Sequence, residues 1–193
     1  AEANVLWDGE QLQLGYLTLT QAGGTLSAAG RLDPNSLQLS VTGKQLPLGI
    51  WTKLALPQEE IDGKINLVGQ IRGTVQDPNL IAQVELVDGR VRGQKIQQAQ
   101  GKLSFEGNTL STPEFTVRSQ GAIHKLSGSL ATGAAKQLDL KWQLQEEKLE
   151  RIMELAGLTQ PIAGKVAGQI QLTGTLPKIT AVGNVNVLEG RVA

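Results

Sequence analysis

Apolar and polar residues alternate along most of this chain. "KINLVGQIRG" (64–73) places Ile65, Leu67 and Ile71 on one phase, and "QLDLKWQL" (137–144) does the same with its leucines and tryptophan. Successive side chains of a strand point to opposite faces of a sheet, so a period of two predicts half-buried β-strands. Turn-forming sequences such as Asp33-Pro34-Asn35 separate these segments at short intervals, as in a meander of hairpins.

The alternation predicts a sheet with one apolar face, while the other face carries Gln, Asn, Thr, Lys and Arg. A long sheet of this kind has to cover its apolar face. A sandwich or a closed barrel would do so, but the strands look alike and repeat. Curling into a trough places the apolar phase inside, and interrupting glycines leave that interior partly empty. Such a groove suits acyl chains. We predict that its lining comprises Ile65, Leu67, Ile71, Val84, Leu86, Leu126, Leu130, Leu138, Leu140, Trp142, Val166, Ile170, Leu172, Val185 and Val187.

The chain is internally repeated. A shift of 101 residues aligns 63–91 with 164–192 without a gap. Acid-Gly-Arg-Val stands near the end of both segments, and we interpret acid plus Gly as a tight turn that ends a strand. The identical residues at this shift are Gly63, Lys64, Gln70, Gly73, Thr74, Val84, Gly89, Arg90 and Val91 with Gly164, Lys165, Gln171, Gly174, Thr175, Val185, Gly190, Arg191 and Val192.

Further upstream the shift becomes 98, so that Trp7-Asp8-Gly9 meets Phe105-Glu106-Gly107. The difference of three residues falls between "DPNS" (33–36) and "ATGAAKQ" (131–137), where turn residues predict a loop. The sequence therefore predicts one elongated repeat segment over 1–193, with repeat units at about 7–91 and 105–192.

One stretch in each unit departs from the period of two. "EEKLERIMELAG" (146–157) places Leu149, Ile152 and Met153 on one helical stripe, with Glu146-Glu147 on a solvated helix face. The matching "LPLGIWTKLALP" (46–57) has a proline close to its start. We predict an all-β fold in the main, an elongated curved sheet that forms a trough-like groove, with one short helix per repeat.

Composition argues against several classes of function. The 18 basic and 18 acidic residues cancel, which leaves no basic footprint for nucleic acid. There is no cysteine and a single histidine, His124, so no cofactor or metal site is predicted. His124 is expected at the apolar interior or its edge, held by local hydrogen bonds. No nucleophile, phosphate-loop or dinucleotide motif occurs, and the carboxylates are scattered. We predict that the chain is not an enzyme.

The two segments "IDGKINLVGQIRGTVQDPNLIAQVELVDGRV" and "IAGKVAGQIQLTGTLPKITAVGNVNVLEGRV" resemble repeats of the TamB family, within the AsmA-like group. The matching features are Gly73-Thr74, Pro78 and Asp88-Gly89, with their counterparts in the second unit. The resemblance implies an envelope protein anchored in the inner membrane that spans the periplasm. It also implies a β-groove that shields phospholipid acyl chains in transit, as in bridge-like lipid transfer proteins, and an outer-membrane barrel partner contacted by other parts of the parent protein.

Three hypotheses follow for the function. The first is a non-catalytic conduit that conducts phospholipids between the inner and outer membranes. The second is a scaffold or chaperone that assists outer-membrane protein assembly by pairing its sheet edges with client strands. The third is a closed β-solenoid of the adhesin or carbohydrate-binding type, which the paucity of aromatic residues and the long repeats disfavour. We expect this chain to be an internal segment of its parent and to associate with itself through its sheet edges.

Overall fold

The computed structural model describes residues 1–49, 61–91, 94–150 and 162–192, which form one sheet of thirteen strands. The strands are β1 (Glu2–Trp7), β2 (Leu12–Gln21), β3 (Gly24–Asp33), β4 (Ser36–Pro47), β5 (Ile61–Gly73), β6 (Pro78–Val91), β7 (Gln94–Ile96), β8 (Gln98–Glu106), β9 (Thr109–Ser119), β10 (Ala122–Ala131), β11 (Gln137–Lys148), β12 (Ile162–Thr175) and β13 (Lys178–Val192).

The sheet is an antiparallel meander in which each strand pairs with the next along the chain. The short β7 is the exception, because it pairs with β6 just beyond the β6–β8 ladder. Twelve strands therefore lie side by side, which spans about 50 Å at the usual strand spacing. The sheet is open and curved, with β1 and β13 at its edges. The prediction of an all-β trough is confirmed.

Directly paired residues in antiparallel strands point to the same face, so the pairing can be followed across the sheet. One row runs Leu26–Gly43–Leu67–Val84–Gly101 through β3, β4, β5, β6 and β8. The row continues from β9 to β13 through Phe115, Leu126, Trp142, Ile170 and Gly183. The apolar phase of these ten strands thus joins into one continuous surface, which we call the apolar face.

Strand pairing repeats with the same shifts as the sequence. The pair Ile65–Leu86 in β5–β6 corresponds to Val166–Val187 in β12–β13, at a shift of 101. Likewise Trp7–Leu12 in β1–β2 corresponds to Phe105–Leu110 in β8–β9, at a shift of 98. The three-residue difference lies in a turn, as expected: two residues, 34–35, join β3 to β4, whereas five, 132–136, join β10 to β11.

The acid and glycine of the repeated phrase do not form a turn, so the turn interpretation is wrong: β6 and β13 run through them and end at Val91 and Val192. Asp88 and Gly89 lie inside β6, and together they oppose the single residue Gly63 of β5. This two-against-one arrangement is a β-bulge, and Asp88 adopts a positive φ of 52°. A Cβ atom on Gly63 would lie 2.9 Å from the Cα of Gly89, and one on Gly164 would lie 3.1 Å from the Cα of Gly190. A contacting pair of glycines therefore explains why the same motif stands in both units.

The predicted helices fall mostly on residues 50–60 and 151–161, which lie outside the described residues. At their starts the structure differs from the prediction, because β4 runs to Pro47 and β11 runs to Lys148. Residues 48–49 and 149–150 have helical backbone. Glu146 and Glu147 accordingly belong to a strand. The register shifts at a bulge in each strand, at 43–46 in β4 and at 144–147 in β11. The two bulges are equivalent in the repeat, and the strand continues beyond each of them.

The turn between β1 and β2 is fixed by Asp8. Its carboxylate accepts backbone hydrogen bonds from Gln11 at 2.7 Å and from Glu10 at 3.1 Å. The hydrogen bonds from Gln11 and then Glu10 lower the pKa of Asp8, since they favour its ionised form. These hydrogen bonds hold β1 to β2 at the turn, in addition to the backbone pairing along the two strands.

Glycines on the apolar face allow neighbouring strands to approach closely. A Cβ atom on Gly69 would lie 2.7 Å from the carbonyl oxygen of Ile81 and 2.8 Å from the Cβ of Ala82. A Cβ atom on Gly168 would lie 2.8 Å from the Cα of Val185 and closer still to the carbonyl oxygen of Asn184. Adjacent strands therefore lean together on the apolar side, which is the geometry of a sheet curved with that side inward.

We predict that Gly168→Ala lowers the free energy of unfolding by about 1–3 kcal/mol, because the added methyl group collides with the backbone of β13. Urea-induced unfolding followed by circular dichroism measures this loss. Gly133→Ala is the matched control, since no atom lies within 4 Å of a Cβ placed there. Equal stability of the two variants would contradict close strand approach as the source of curvature.

An apolar groove as the candidate functional site

The apolar face encloses a groove cavity of about 670 Å³ between β3 and β9. Its size lies within the range of pockets that hold small organic ligands. Ser104 is the polar member of the lining, and its hydroxyl oxygen lies 2.9 Å from that of Ser111. The remaining lining residues are Leu26, Val41, Leu46, Leu48, Ile65, Leu67, Ile71, Leu80, Ala82, Val84, Leu86, Ile96, Ala99, Leu103, Leu110, Phe115 and Val117.

The groove cavity contains five of the predicted lining residues: Ile65, Leu67, Ile71, Val84 and Leu86. The others lie on the same apolar face in the second unit, as the strand pairing shows. These pairs are Leu126–Trp142, Trp142–Ile170, Leu130–Leu138, Leu140–Leu172, Gly168–Val185 and Val166–Val187. Phe115 connects the two regions, because it lines the groove cavity and pairs with Leu126.

Burial differs between the floor and the edges of the apolar face. Ala82 and Ala99, small residues that line the groove cavity, are buried, whereas Leu67 and Val84 are only half-buried. Among the described residues, small side chains therefore form the floor here, and the longer ones beside them are only half covered. At the β13 edge, where the sheet ends, Val185 and Val187 are exposed. The face resembles a half-covered core with room for an apolar ligand.

A second hollow, of about 580 Å³, lies on the opposite face of the same strands. Its lining includes Gln70, Arg72 and Lys102, all of them exposed, beside the exposed side chains of Val68 and Ile81. Arg72 donates a hydrogen bond to the side chain of Gln70 at 2.9 Å, so one edge of its guanidinium group contacts another residue of the same hollow. The second hollow thus differs from the groove cavity in carrying amide, guanidinium and ammonium groups beside its valine and isoleucine side chains.

The second unit carries a buried polar network on the apolar face. The indole N–H of Trp142 donates to Nδ1 of His124 at 3.3 Å, and Nε2 of His124 lies 3.0 Å from Oε2 of Glu147. The other oxygen of Glu147 accepts the backbone N–H of Lys148 at 2.8 Å. The two rings lie 5.8 Å apart, centre to centre. The prediction that His124 lies at the interior and is held locally is confirmed.

These contacts define the protonation of the imidazole. An indole N–H can only donate, so Nδ1 of His124 must accept and carries no proton. The proton of the neutral ring then sits on Nε2, from which it is donated to the carboxylate of Glu147. Glu147 is only 3% exposed, so this carboxylate depends on its hydrogen-bond donors.

The prediction that Glu147 lies on a solvated helix face is wrong, because the residue is buried in a strand. A comparison of the two repeat units predicts the burial of Glu147. At the shifts of 98 and 101, His124, Trp142 and Glu147 correspond to Leu26, Val41 and Leu46. Those three residues line the groove cavity in the first unit. Polar residues at positions where the other copy is apolar indicate a buried network.

No protein-family model, curated protein or solved structure matches this chain. Among the residues that the structure describes, none of the helical stretches has the length and apolar character needed to cross a membrane. In the same residues, no group of three or more His, Cys, Asp or Glu side chains is placed to hold a metal ion.

We predict that His124→Leu destabilises the chain by about 3 kcal/mol, because it removes the imidazole donor from the buried carboxylate of Glu147. The double variant His124→Leu/Glu147→Leu installs the two leucines of the first unit and removes the charge together with its partner. It should be more stable than His124→Leu alone by about 2 kcal/mol, while the half-buried Trp142 donates to water. Urea titrations of both single variants and the double variant form a double-mutant cycle. Additive losses would show that the pair is not coupled.

Proposed function

We propose that the chain is a non-catalytic lipid-conducting segment whose apolar groove holds the acyl chains of phospholipids. The observation that carries this proposal is the groove cavity, which is open, apolar and continuous with the apolar face of the second unit. Polar head groups stay at the open mouth, where water solvates them. The resemblance of the repeats to the TamB family supports the same function and suggests the periplasm between two membranes as its setting.

The energetics favour acyl chains over compact ligands. Each methylene moved from water into an apolar environment contributes about 0.8 kcal/mol, so a long chain gains binding energy along its whole length. The groove supplies this environment through aliphatic side chains and Phe115. Such a site discriminates little between apolar ligands of different shape, because it lacks the placed hydrogen-bond donors and acceptors that fix a ligand's orientation. Low specificity suits cargo that must slide.

The row structure of the sheet supports movement along the groove. Equivalent aliphatic residues follow one another across neighbouring strands, as in Leu26, Leu67 and Val84, so an acyl chain meets similar surfaces at successive positions. Gly43 and Gly101 lie in the same row, and the side chains of Leu46 and Phe115 lie over them, so the row stays apolar at these positions too. Lipids would therefore advance by diffusion over a series of near-equal contacts.

The test is phospholipid uptake by the purified 193-residue chain. The chain is incubated with vesicles of phosphatidylglycerol and phosphatidylethanolamine, separated from them, and its bound lipid is quantified by mass spectrometry. We expect Leu67→Asp to reduce bound lipid at least about tenfold, because the acyl chains would have to desolvate a carboxylate. Val68→Asp is the matched control: it is the next residue, 64% exposed on the opposite face, and should bind as the unsubstituted chain does.

Val84→Phe provides a second variant that keeps the groove apolar. The larger ring occupies space beside Gly101, its partner across β6 and β8, and should reduce lipid uptake without introducing charge. Circular dichroism verifies that each variant keeps its strand content. Equal uptake by the Leu67→Asp and Val68→Asp chains, both folded, would overturn the lipid-groove proposal.

A further inference from the structure

The two edge strands of the sheet are copies of two strands that pair inside it. β13 corresponds to β6 at a shift of 101, and the β12–β13 register repeats that of β5–β6. β1 corresponds to β8 at a shift of 98, and the β1–β2 register repeats that of β8–β9. In the middle of the sheet β6 and β8 pair directly with each other. Each molecule therefore presents, at opposite edges, the two halves of an interface that it already contains.

We propose that β13 of one molecule pairs antiparallel with β1 of a second copy, head to tail, in the register of β6 with β8. The internal pairs run from Leu80–Phe105 to Leu86–Ala99. Translated by the repeat shifts, they become the pairs from Ala181–Trp7 to Val187–Ala1 between the two molecules. The partner is thus a second copy of this chain, and the register between the two molecules is the one that β6 and β8 already adopt within each molecule.

Exposed apolar side chains on the outer face match in this register. Val182 is 67% exposed on β13 and Leu6 is 64% exposed on β1. The register places Val182 directly opposite Leu6, because the internal pair at this position is Ile81–Ser104. Paired residues on one face of an antiparallel ladder have Cβ atoms about 5 Å apart, so the two side chains would shield each other from water.

On the apolar face the register alternates large and small residues. Trp7 meets Ala181, and Val5 meets Gly183, so a bulky side chain on one strand always faces a small one on the other. Ala3 meets Val185 with the sizes reversed. Such alternation lets the two strands approach to ladder distance without collision. The groove would continue across the junction with its apolar face unbroken.

Neither edge carries the usual protection against pairing. Natural edge strands are commonly blocked by lysine, proline or inward-pointing charge. The pairing segment of β13, residues 181–187, contains no charged residue and no proline, and that of β1 contains only Glu2 as a charge. Because the interface joins two different edges, it is heterologous, and a pair of molecules still presents one edge of each kind to further copies.

The absence of cysteine allows the register to be tested by disulfide trapping. A mixture of Leu6→Cys and Val182→Cys chains should form a disulfide-linked dimer under mild oxidation. Each variant alone should not, since head meets tail. The double variant Leu6→Cys/Val182→Cys should give a ladder of covalent oligomers. The control pair Leu6→Cys with Asn184→Cys is two residues out of register on the same face, where diagonal Cβ atoms about 7 Å apart are too distant for a disulfide.

Val182→Lys provides the second measurement. It should reduce the oligomeric fraction in sedimentation velocity at least about tenfold, whereas Val68→Lys, an equally exposed valine on an interior strand, should not. A monomer at all concentrations, equal cross-linking by both cysteine pairs, or loss of oligomers in both lysine variants would overturn the proposal. Binding of a foreign strand peptide in place of a second copy would overturn it as well. Failure of lipid uptake would leave these results unaffected, because the interface rests on strand pairing alone.

Discussion

The fold depends on one constraint: the described strands form a single antiparallel layer, and that layer has to keep its apolar face away from water. Most domains solve this problem by packing two layers around one core. Here the backbone ladder is continuous from β1 to β13, and the curvature of that ladder is the means of covering the face. Large residues with almost no exposure are correspondingly rare in the described chain, with Leu144 and Val166 the two that are nearly inaccessible.

Curvature of this kind is encoded by small residues on the inner side. At Gly69 and Gly168 the next strand comes so close that a Cβ atom has no room. Neither glycine lines the groove cavity, so they set the spacing of the strands and not the volume of the cavity. A version of this chain with alanines at those positions would have its neighbouring strands pushed apart on the inner side and a flatter sheet.

The sequence is sufficient to predict a meander of alternating strands, the common face of the residues named as groove lining, and the repeat with its shifts, because all of these follow from periodicity. It was insufficient where one local pattern fits two structures. Asp88-Gly89 suits a tight turn or a bulge equally well, and only pairing with Gly63 decides for the bulge. Glu147 was misplaced for the same reason: a run of charges indicates a helix surface until the register of β11 with β12 places it opposite Val166.

The two units show how far one backbone can diverge while its register is preserved. Leu26 and Leu46 form part of an apolar wall, and at the equivalent positions His124 and Glu147 form a hydrogen-bonded pair. A buried pair of this type contributes little net stability against leucines, so stability alone does not account for it. It does make the wall of the second unit polar at one place, directly beside Trp142. An acyl chain that slides along the apolar face would meet there a fixed dipole instead of aliphatic surface, and would be slowed or turned at that point. Under the proposed function, the wall of the first unit would therefore offer an acyl chain aliphatic surface throughout, and the wall of the second unit would add one polar contact at the His124–Glu147 pair.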